Sequence, residues 1–366
     1  MNANLGDVDP MEPKNRAGED TAGEALPLAD SELRPARFSP WRMFASVLVA
    51  AVIVWVLLRV TDVSISQVLE TLRRTSPAAV LIGLGLHMAT YGLRSLRLRF
   101  LLHSKRVPVR RLFEFTTVHY LFNHVLPLRA GEFTLVYLLR RREGVPVAEG
   151  LGILVIARVL DLIAFTLFYP AAILALDASR FPFPAYVQEI LWAVAGLFLA
   201  LTALLVAVSF RGRALIERMR RLLLRGILGR SRFLEALFRK LDQVGRTFEH
   251  LRSWPVVLGS FVLSLAILGL VYLIGYVLLA GMGYPMAFPL VILCSTLANL
   301  GFILPLYSFG GFGTLEAGWT VGCLMAGFSK EMGMASGFSF HVLVLCYVSA
   351  MGVYGLFRVG AARPDR

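Results

Sequence analysis

Two apolar stretches of the sequence contain the same unusual combination of residues: an Asn, a Leu-Pro pair, glycine and a Glu. The first contains Asn123, Pro127, Arg129, Gly131 and Glu132, and the second contains Asn299, Pro305, Gly310, Gly311, Gly313 and Glu316. A proline lacks a backbone donor and a charged side chain is costly in hydrocarbon, so such residues need a cavity or the protein interior around them. The repeated pattern predicts one polar site, built from two chain breaks, that can bind an ionic group.

Arg158 and Asp161 add a second pair of charges, three positions apart in a long apolar segment. On a helix this spacing places both side chains on one face, where they can form an ion pair. The pair can have a structural role, and Arg158 can bind a lipid phosphate while Asp161 orients it; the two roles are compatible. The charged residues at the breaks also have an interpretation without a polar site. Arg129 and Glu132 would then lie in an interfacial turn, and Glu316 would satisfy backbone donors at a helix start.

Patterns typical of an enzyme are missing from the sequence. The run 310–316 lacks a preceding strand and the Gly-Lys-Ser/Thr of a nucleotide-binding loop, and no Gly-x-Ser-x-Gly or His-Glu-x-x-His occurs. The histidines and the three cysteines are scattered through apolar segments without the spacing of a metal site. His119 and His124 are expected to bond neighbouring carbonyl groups. We therefore expect no catalytic residue, no metal and no cofactor.

The composition is that of a membrane protein. Of 366 residues, 57% are hydrophobic and 17% are charged, and the mean hydropathy is +0.68, which is too apolar for a soluble domain. The net charge of +13 comes from basic residues in the gaps between apolar segments. The positive-inside rule explains this distribution, so a nucleic-acid partner is not expected. The predicted fold class is an all-α polytopic membrane protein.

Six segments are long and apolar enough, or nearly so, to cross a membrane as helices of about 20 residues. They are 43–60, 78–93, 151–176, 190–210, 256–279 and 338–357. Two further regions, 112–145 and 286–328, are interrupted by the two motifs and predict broken or re-entrant helical hairpins. The chain therefore divides into a disordered acidic cytoplasmic tail at 1–40, a transmembrane domain at 41–357 and a short cytoplasmic tail at 358–366.

Basic residues between the apolar segments predict the orientation of the chain. One basic loop is formed by Arg94, Arg97, Arg99, Lys105, Arg106, Arg110 and Arg111, and further basic groups occupy 140–142, 211–252 and 358–366. All of them are cytoplasmic only if each hairpin enters and leaves on the same side, with both termini inside. The halves, at 43–176 and 190–357, are then inverted repeats, an arrangement that places a site near the membrane midplane.

Residues 213–252 form an insertion in which apolar residues recur at helical spacing with basic residues between them. This pattern is typical of a pair of amphipathic helices on an anionic lipid surface. A soluble helical hairpin that packs on the transmembrane bundle fits the same pattern.

Three motifs together resemble the lysylphosphatidylglycerol synthase transmembrane, or flippase-like, family. They are Leu-Pro-Leu-Arg-Ala-Gly-Glu at 126–132, Ala-Arg-Val-Leu-Asp at 157–161 and Gly-Gly-Phe-Gly-Thr-Leu-Glu at 310–316, and the similarity extends over 43–357. The residues that match the family motifs by position are Arg129, Gly131, Glu132, Arg158, Asp161, Gly310, Gly311, Gly313 and Glu316. Leu135, Ala157 and Ser308 stand where the family usually has Arg, Glu and Pro.

The resemblance implies a protein of the bacterial inner membrane that moves a phospholipid or an isoprenoid-linked lipid between leaflets. The head group would pass Arg129, Glu132, Arg158, Asp161 and Glu316. Longer family members carry an aminoacyl-transfer domain; none is recognisable up to Arg366, so synthase activity is not expected. Two other functions fit the residues: a membrane-embedded transferase with Glu132 or Asp161 as base, and a non-transporting partner of lipid-synthesis enzymes that docks through 213–252.

Overall fold

Helix is the only regular secondary structure among the residues that the structure describes. In this computed structural model these residues are 64–126, 131–176, 183–224, 254–303 and 311–361, with positions 48 and 55. All of them belong to one compact unit, Ser39–Arg366. The ten described helices are α1 (Ile65–Arg74), α2 (Pro77–Leu101), α3 (Val109–Val125), α4 (Glu132–Glu143), α5 (Val147–Ala175), α6 (Ala185–Leu224), α7 (Trp254–Gly281), α8 (Phe288–Ile303), α9 (Thr314–Met325) and α10 (Lys330–Ala361).

Four of these helices are long and apolar enough to cross a membrane: α5, the Ala185–Leu204 part of α6, α7 and α10. α1 and α2 pass the same test together but are bent by 88°, so they give a fifth span if counted as one. Five of the six predicted spans coincide with these helices, which confirms the all-α polytopic class. The predicted span 43–60, apart from positions 48 and 55, and the tail 1–40 lie outside the described residues.

The sixth helix is longer than the span predicted for it. α6 continues without a break through Leu224, so the first part of the predicted insertion 213–252 extends the same helix. The remainder of the insertion, from 225 to 252, lies outside the described residues. The proposed contact of this insertion with anionic lipid therefore stays a prediction.

α2 is also longer than predicted, and its length corrects the predicted basic loop. Pro77 occupies the first turn, where its fixed φ favours helix, and the helix continues to Leu101. Arg94, Arg97 and Arg99 are therefore helical residues, and Arg97 is buried. The apolar residues between these arginines allow the helix to continue, whereas the run of charge alone had indicated a loop.

A short amphipathic helix, α1, precedes α2 and was not predicted. It begins with a capping box in which Gln67 N–H donates to Ser64 Oγ at 3.3 Å and Ser64 N–H donates to Gln67 Oε1 at 2.8 Å. At the corner between α1 and α2, Ser76 N–H donates to the Gly281 carbonyl at 2.8 Å. This bond fixes the start of α2 against the end of α7.

The first interrupted region forms two antiparallel helices, α3 and α4, with the break at the predicted motif. Arg111 Nη1 donates to Glu143 Oε1 at 2.7 Å at the end of the pair away from the break. Asn123 Nδ2 donates to Glu132 Oε1 at 3.4 Å beside the break. The two contacts hold the pair at both ends.

The second interrupted region forms a closer pair, α8 and α9. A Cβ added at Gly318 would lie 2.7 Å from the Leu297 carbonyl oxygen, and one added at Gly322 would lie 2.7 Å from Cys294 Cα. The reversed order of these contacts along the two helices shows that they are antiparallel. Small residues permit this close approach of the two backbones, as is common between membrane helices.

The two halves of the domain meet mainly along α2 and α7, which pack antiparallel. A Cβ at Gly83 would lie 3.0 Å from Leu278, and one at Gly259 would lie 3.3 Å from Phe100. α3 packs against α10, and α8 packs against α5, so the first helix of each hairpin contacts the last helix of the other half. These reciprocal contacts bring residues of both halves around one cavity.

Candidate functional site

Four charged side chains form a continuous network between α2, α4 and α5, which we call the charge network. Arg158 Nη2 donates to Glu132 Oε1, and Arg158 Nη1 lies 3.7 Å from Asp161 Oδ2. Arg97 Nη1 donates to Asp161 Oδ1, and Arg97 Nη2 donates to Asp161 Oδ2 at 3.5 Å. The charges alternate in sign from Glu132 through Arg158 and Asp161 to Arg97, so each carboxylate contacts a guanidinium.

Local helix geometry explains the positions of Arg158, Asp161 and Glu132, but not that of Arg97. Arg158 and Asp161 share a face of α5, as their spacing predicted. Glu132 is the first residue of α4, where the helix dipole favours an acid. Arg97 comes from α2, is 5% exposed, and also donates to Ser264 Oγ at 2.7 Å. No spacing in the sequence connects Arg97 to Asp161.

His119 and Asn123 hold the start of α4 across the first break. His119 Nδ1 lies 2.9 Å from the Gly131 carbonyl oxygen. Because a carbonyl oxygen can only accept, Nδ1 carries the hydrogen and Nε2 can accept from Asn123 Nδ2 at 3.4 Å. Asn123 Nδ2 also donates to Glu132 Oε1, so the last turns of α3 orient the first acid of α4.

Gly131 is expected to tolerate no larger residue, because α3 passes directly beside it. A Cβ at Gly131 would lie 2.3 Å from the Asn123 backbone nitrogen and 2.5 Å from the Phe122 carbonyl carbon. Since backbone atoms cannot rotate away, Gly131→Ala should lower the free energy of unfolding by about 1–3 kcal/mol. Gly85→Ala is the control, because nothing lies within 4 Å of a Cβ there. Equal thermal midpoints for the two variants in detergent would contradict the prediction.

At the second break, Glu316 is fully buried near the start of α9, with 0% exposure. Its Oε2 accepts a hydrogen bond from Gly313 N–H at 2.7 Å, and its Oε1 lies 2.6 Å from His341 Nδ1. Gly311 and Gly313 have φ angles of 79° and 87°, which glycine adopts without strain. Glu316 therefore satisfies a backbone donor at a helix start and also fixes the orientation of His341.

A cavity of about 520 Å³ lies between these helices. Polar lining residues on α2, α3 and α5 are His87, Thr90, Tyr91, Arg94, Tyr120, Asn123, His124, Arg158 and Asp161. Apolar lining residues on α5, α6 and α7 are Leu162, Phe165, Phe198, Leu201, Leu204, Ile267, Leu268, Val271 and Ile274. Asn299 and His341 are among the residues that line it from the second half. The lining suits a ligand with both an ionic and a hydrocarbon part.

Arg94 and Tyr120 extend the polar side of the cavity beyond the charge network. Arg94 Nη1 donates to Tyr120 OH, and Arg94 Cζ lies 4.7 Å from the centroid of the Tyr120 ring. Tyr120 in turn stacks on Tyr91, with ring centroids 5.2 Å apart. The sequence interpretation missed Arg94 because it assigned the residue to a loop. The available signal was the three-residue spacing of Arg94 and Arg97, the same spacing that predicted the charged pair on α5.

The structure brings some of the predicted site residues together and separates others. Those that line the cavity are Asn123, Arg158, Asp161 and Asn299. Glu132 contacts Arg158 from outside the lining, and Glu316, also outside it, contacts the lining residue His341. Four predicted residues lie outside the described part of the chain: Pro127, Arg129, Pro305 and Gly310. Among the described residues, no group of three or more His, Cys, Asp and Glu side chains could hold a metal ion.

Comparison with known proteins gives one match. The family model described as Lysylphosphatidylglycerol synthase TM region matches residues 43–352. No curated protein matches the chain, and no solved structure does. The matched segment covers well over half of the chain and contains every described helix except the last turns of α10. The chain therefore belongs to the Lysylphosphatidylglycerol synthase TM region family, as a multi-pass membrane protein related to lipid handling.

Proposed function

We propose that this protein moves a lipid between the two leaflets of a bacterial inner membrane, with the head group passing through the cavity. The observation that carries the proposal is the cavity lining, which combines charged side chains of α2 and α5 with hydrocarbon side chains of α6 and α7. A volume of about 520 Å³ is within the range of about 300–1,000 Å³ for small-molecule pockets and suits a head group. The acyl chains stay in the surrounding lipid.

The charge network supplies the contacts for the head group. Arg158 and Asp161 line the cavity, and Glu132 contacts Arg158 from behind. A phosphate oxygen can accept a hydrogen bond from Arg158 while the two carboxylates keep the guanidinium in place. Arg129, which accompanies the first break in the sequence, completes the proposed path on this side. Glu316, at the second break, acts on the path through His341, which lines the cavity.

Similarity between the two halves supports an alternating-access mechanism. Glu132 is the first residue of the second hairpin helix of the first half and contacts Arg158 on the next helix. Glu316 lies in the first turn of the corresponding helix of the second half and contacts His341 on the next helix. The number of residues from Glu132 to Glu316 differs by only one from the number between their partners, Arg158 and His341. Such correspondence is expected of inverted repeats, in which one half rocks against the other and opens a central site to each side in turn.

Contacts at one end of the bundle support a cytoplasmic position for the end of α10; the cytoplasmic N-terminus stays a prediction from the sequence. Arg142 Nη2 donates to the Val359 carbonyl at 2.9 Å, and Arg358 Nε donates to Glu114 Oε1 at 3.2 Å. The end of α10 therefore meets the end of α4 and the start of α3. These segments carry predicted basic groups, which the positive-inside rule places in the cytoplasm.

Leaflet exchange of labelled lipids in proteoliposomes tests the proposal. We expect Glu132→Gln and Arg158→Ala to exchange lipid at least about tenfold more slowly than wild type, since each loses a charge-assisted hydrogen bond worth about 1.5–3 kcal/mol. Glu70→Gln is the matched control, because Glu70 forms an exposed ion pair with Arg74. Equal exchange in all four proteins would overturn the proposal. Turnover of a labelled lipid-linked donor by the purified protein would favour a transferase instead.

A further inference from the structure

We infer that the cavity selects a lipid whose head group carries a net negative charge, and that Arg94 recognises this charge. The inference rests on the proposed function, whose head-group site it specifies. It follows from the balance of charges on the polar side of the cavity. Among the described residues around it, three guanidinium groups, of Arg94, Arg97 and Arg158, accompany two carboxylates, of Glu132 and Asp161.

Both carboxylates already have guanidinium partners. Arg97 contacts both oxygens of Asp161, and Arg158 contacts Glu132 while its other terminal nitrogen lies 3.7 Å from Asp161. The charge network therefore contains equal numbers of positive and negative groups. It has no charge left to neutralise a third guanidinium.

Arg94 has no carboxylate partner within the described part of the chain. Its Nη1 donates to the neutral phenol of Tyr120, and its Nε is buried without a hydrogen-bond acceptor. A guanidinium without a carboxylate partner and with an unused donor is unfavourable in a cavity within the membrane, so the site is incomplete until an anion enters. The planar fork of arginine matches two oxygens of a phosphate group.

A zwitterionic or cationic head group fits this lining less well than an anionic one. An ammonium group needs an unpaired carboxylate, whereas Asp161 is paired in the lining and Glu132 is paired behind it. The described lining thus offers an unmatched positive charge and no unmatched negative charge. Its apolar wall begins at Leu162, the residue after Asp161, so hydrocarbon and phosphate can be contacted together. That continuity favours a lipid phosphate over a free phosphate ion.

Thermal unfolding of the purified protein in a neutral detergent tests the inference without a transport assay. We expect phosphatidylglycerol, which is anionic, to raise the midpoint of the wild type, because a ligand that binds the folded state stabilises it. Phosphatidylcholine and inorganic phosphate should leave the midpoint unchanged. Arg94→Gln should lose the phosphatidylglycerol shift, yet without lipid it should melt no lower than wild type, because the substitution removes an unpaired charge. Arg94→Lys, which keeps the charge, should retain part of the shift.

Arg99→Gln is the matched control, since Arg99 lies on the same helix and is not among the cavity-lining residues. It should keep the full phosphatidylglycerol shift. The inference is wrong if both lipids stabilise the wild type equally, if inorganic phosphate alone produces the shift, or if Arg94→Gln retains it.

Lipid exchange in proteoliposomes separates this inference from the proposed function. Wild type should exchange labelled phosphatidylglycerol at least about tenfold faster than labelled phosphatidylcholine, a preference that corresponds to about 1.4 kcal/mol, and Arg94→Gln should abolish the preference. Selective stabilisation by phosphatidylglycerol without exchange of any lipid would contradict transport and support the anionic site. Fast exchange of both lipids at equal rates would support transport and overturn the selectivity.

Discussion

Replacing Arg97 with Met is expected to lower the free energy of unfolding by about 3 kcal/mol, the lower end of the range for breaking a buried ion pair. Arg97 is 5% exposed and contacts both oxygens of Asp161. Without it, Arg158 Nη1 still lies 3.7 Å from Asp161 Oδ2. Because this contact remains, the lower end of the range applies. Thermal or denaturant unfolding in detergent measures the change.

Two further variants separate the loss of charge balance from the loss of packing. Arg97→Met combined with Asp161→Leu removes both charges, and it should recover most of the lost stability because a buried ion pair is replaced by apolar groups. Arg74→Met removes one member of an exposed pair with Glu70, at 2.6 Å, and should change stability by less than about 1 kcal/mol. If Arg97→Met and Arg74→Met were equally stable, Arg97 would not be needed to balance the charge of Asp161.

The positions of the two helical hairpins could be predicted because they depend on local sequence. Proline, glycine and a charged residue inside an apolar stretch interrupt helix hydrogen bonding or require polar surroundings, whatever the tertiary structure. The described helices separate at both motifs, between α3 and α4 and between α8 and α9. The long helices could be predicted equally well, since a membrane span requires only sufficient apolar length.

The partners of the charged residues could not be predicted in the same way. Sequence spacing identifies neighbours on one helix, so it paired Arg158 with Asp161, whereas the Arg97 to Asp161 and Arg158 to Glu132 contacts join different helices. Counting arginines between spans also assigned Arg94 and Arg97 to a loop. Their three-residue spacing within apolar sequence fits a longer helix, as the structure shows.

The histidines show the same division between local and tertiary information. His119 and His124 bond the carbonyl groups of Gly131 and Tyr120, as expected for isolated histidines in apolar helices. His341 instead contacts the carboxylate of Glu316, which lies on another helix. No local pattern distinguishes His341 from the others, so its role depended on the packing of α9 against α10.

Glu316→Ala is expected to lower the free energy of unfolding by about 3–5 kcal/mol. Glu316 is fully buried and makes two hydrogen bonds, from Gly313 N–H at 2.7 Å and with His341 Nδ1 at 2.6 Å. Each hydrogen bond to a charged group contributes about 1.5–3 kcal/mol, and alanine would leave both donors without an acceptor in the interior. The measurement is unfolding in detergent, as for the Arg97 variants.

Two comparisons identify the cause of this loss. Glu316→Gln keeps the shape and one acceptor oxygen, but its amide NH2 must face one of the two donors, so the expected loss is about half that of alanine. Glu331→Ala removes the first-turn acid of α10, which is 47% exposed, and should change stability by less than about 0.5 kcal/mol. A helix-dipole effect alone would make Glu316→Ala and Glu316→Gln equally harmful, by about 0.3–1 kcal/mol. That result would contradict a role in joining α9 to α10 through His341.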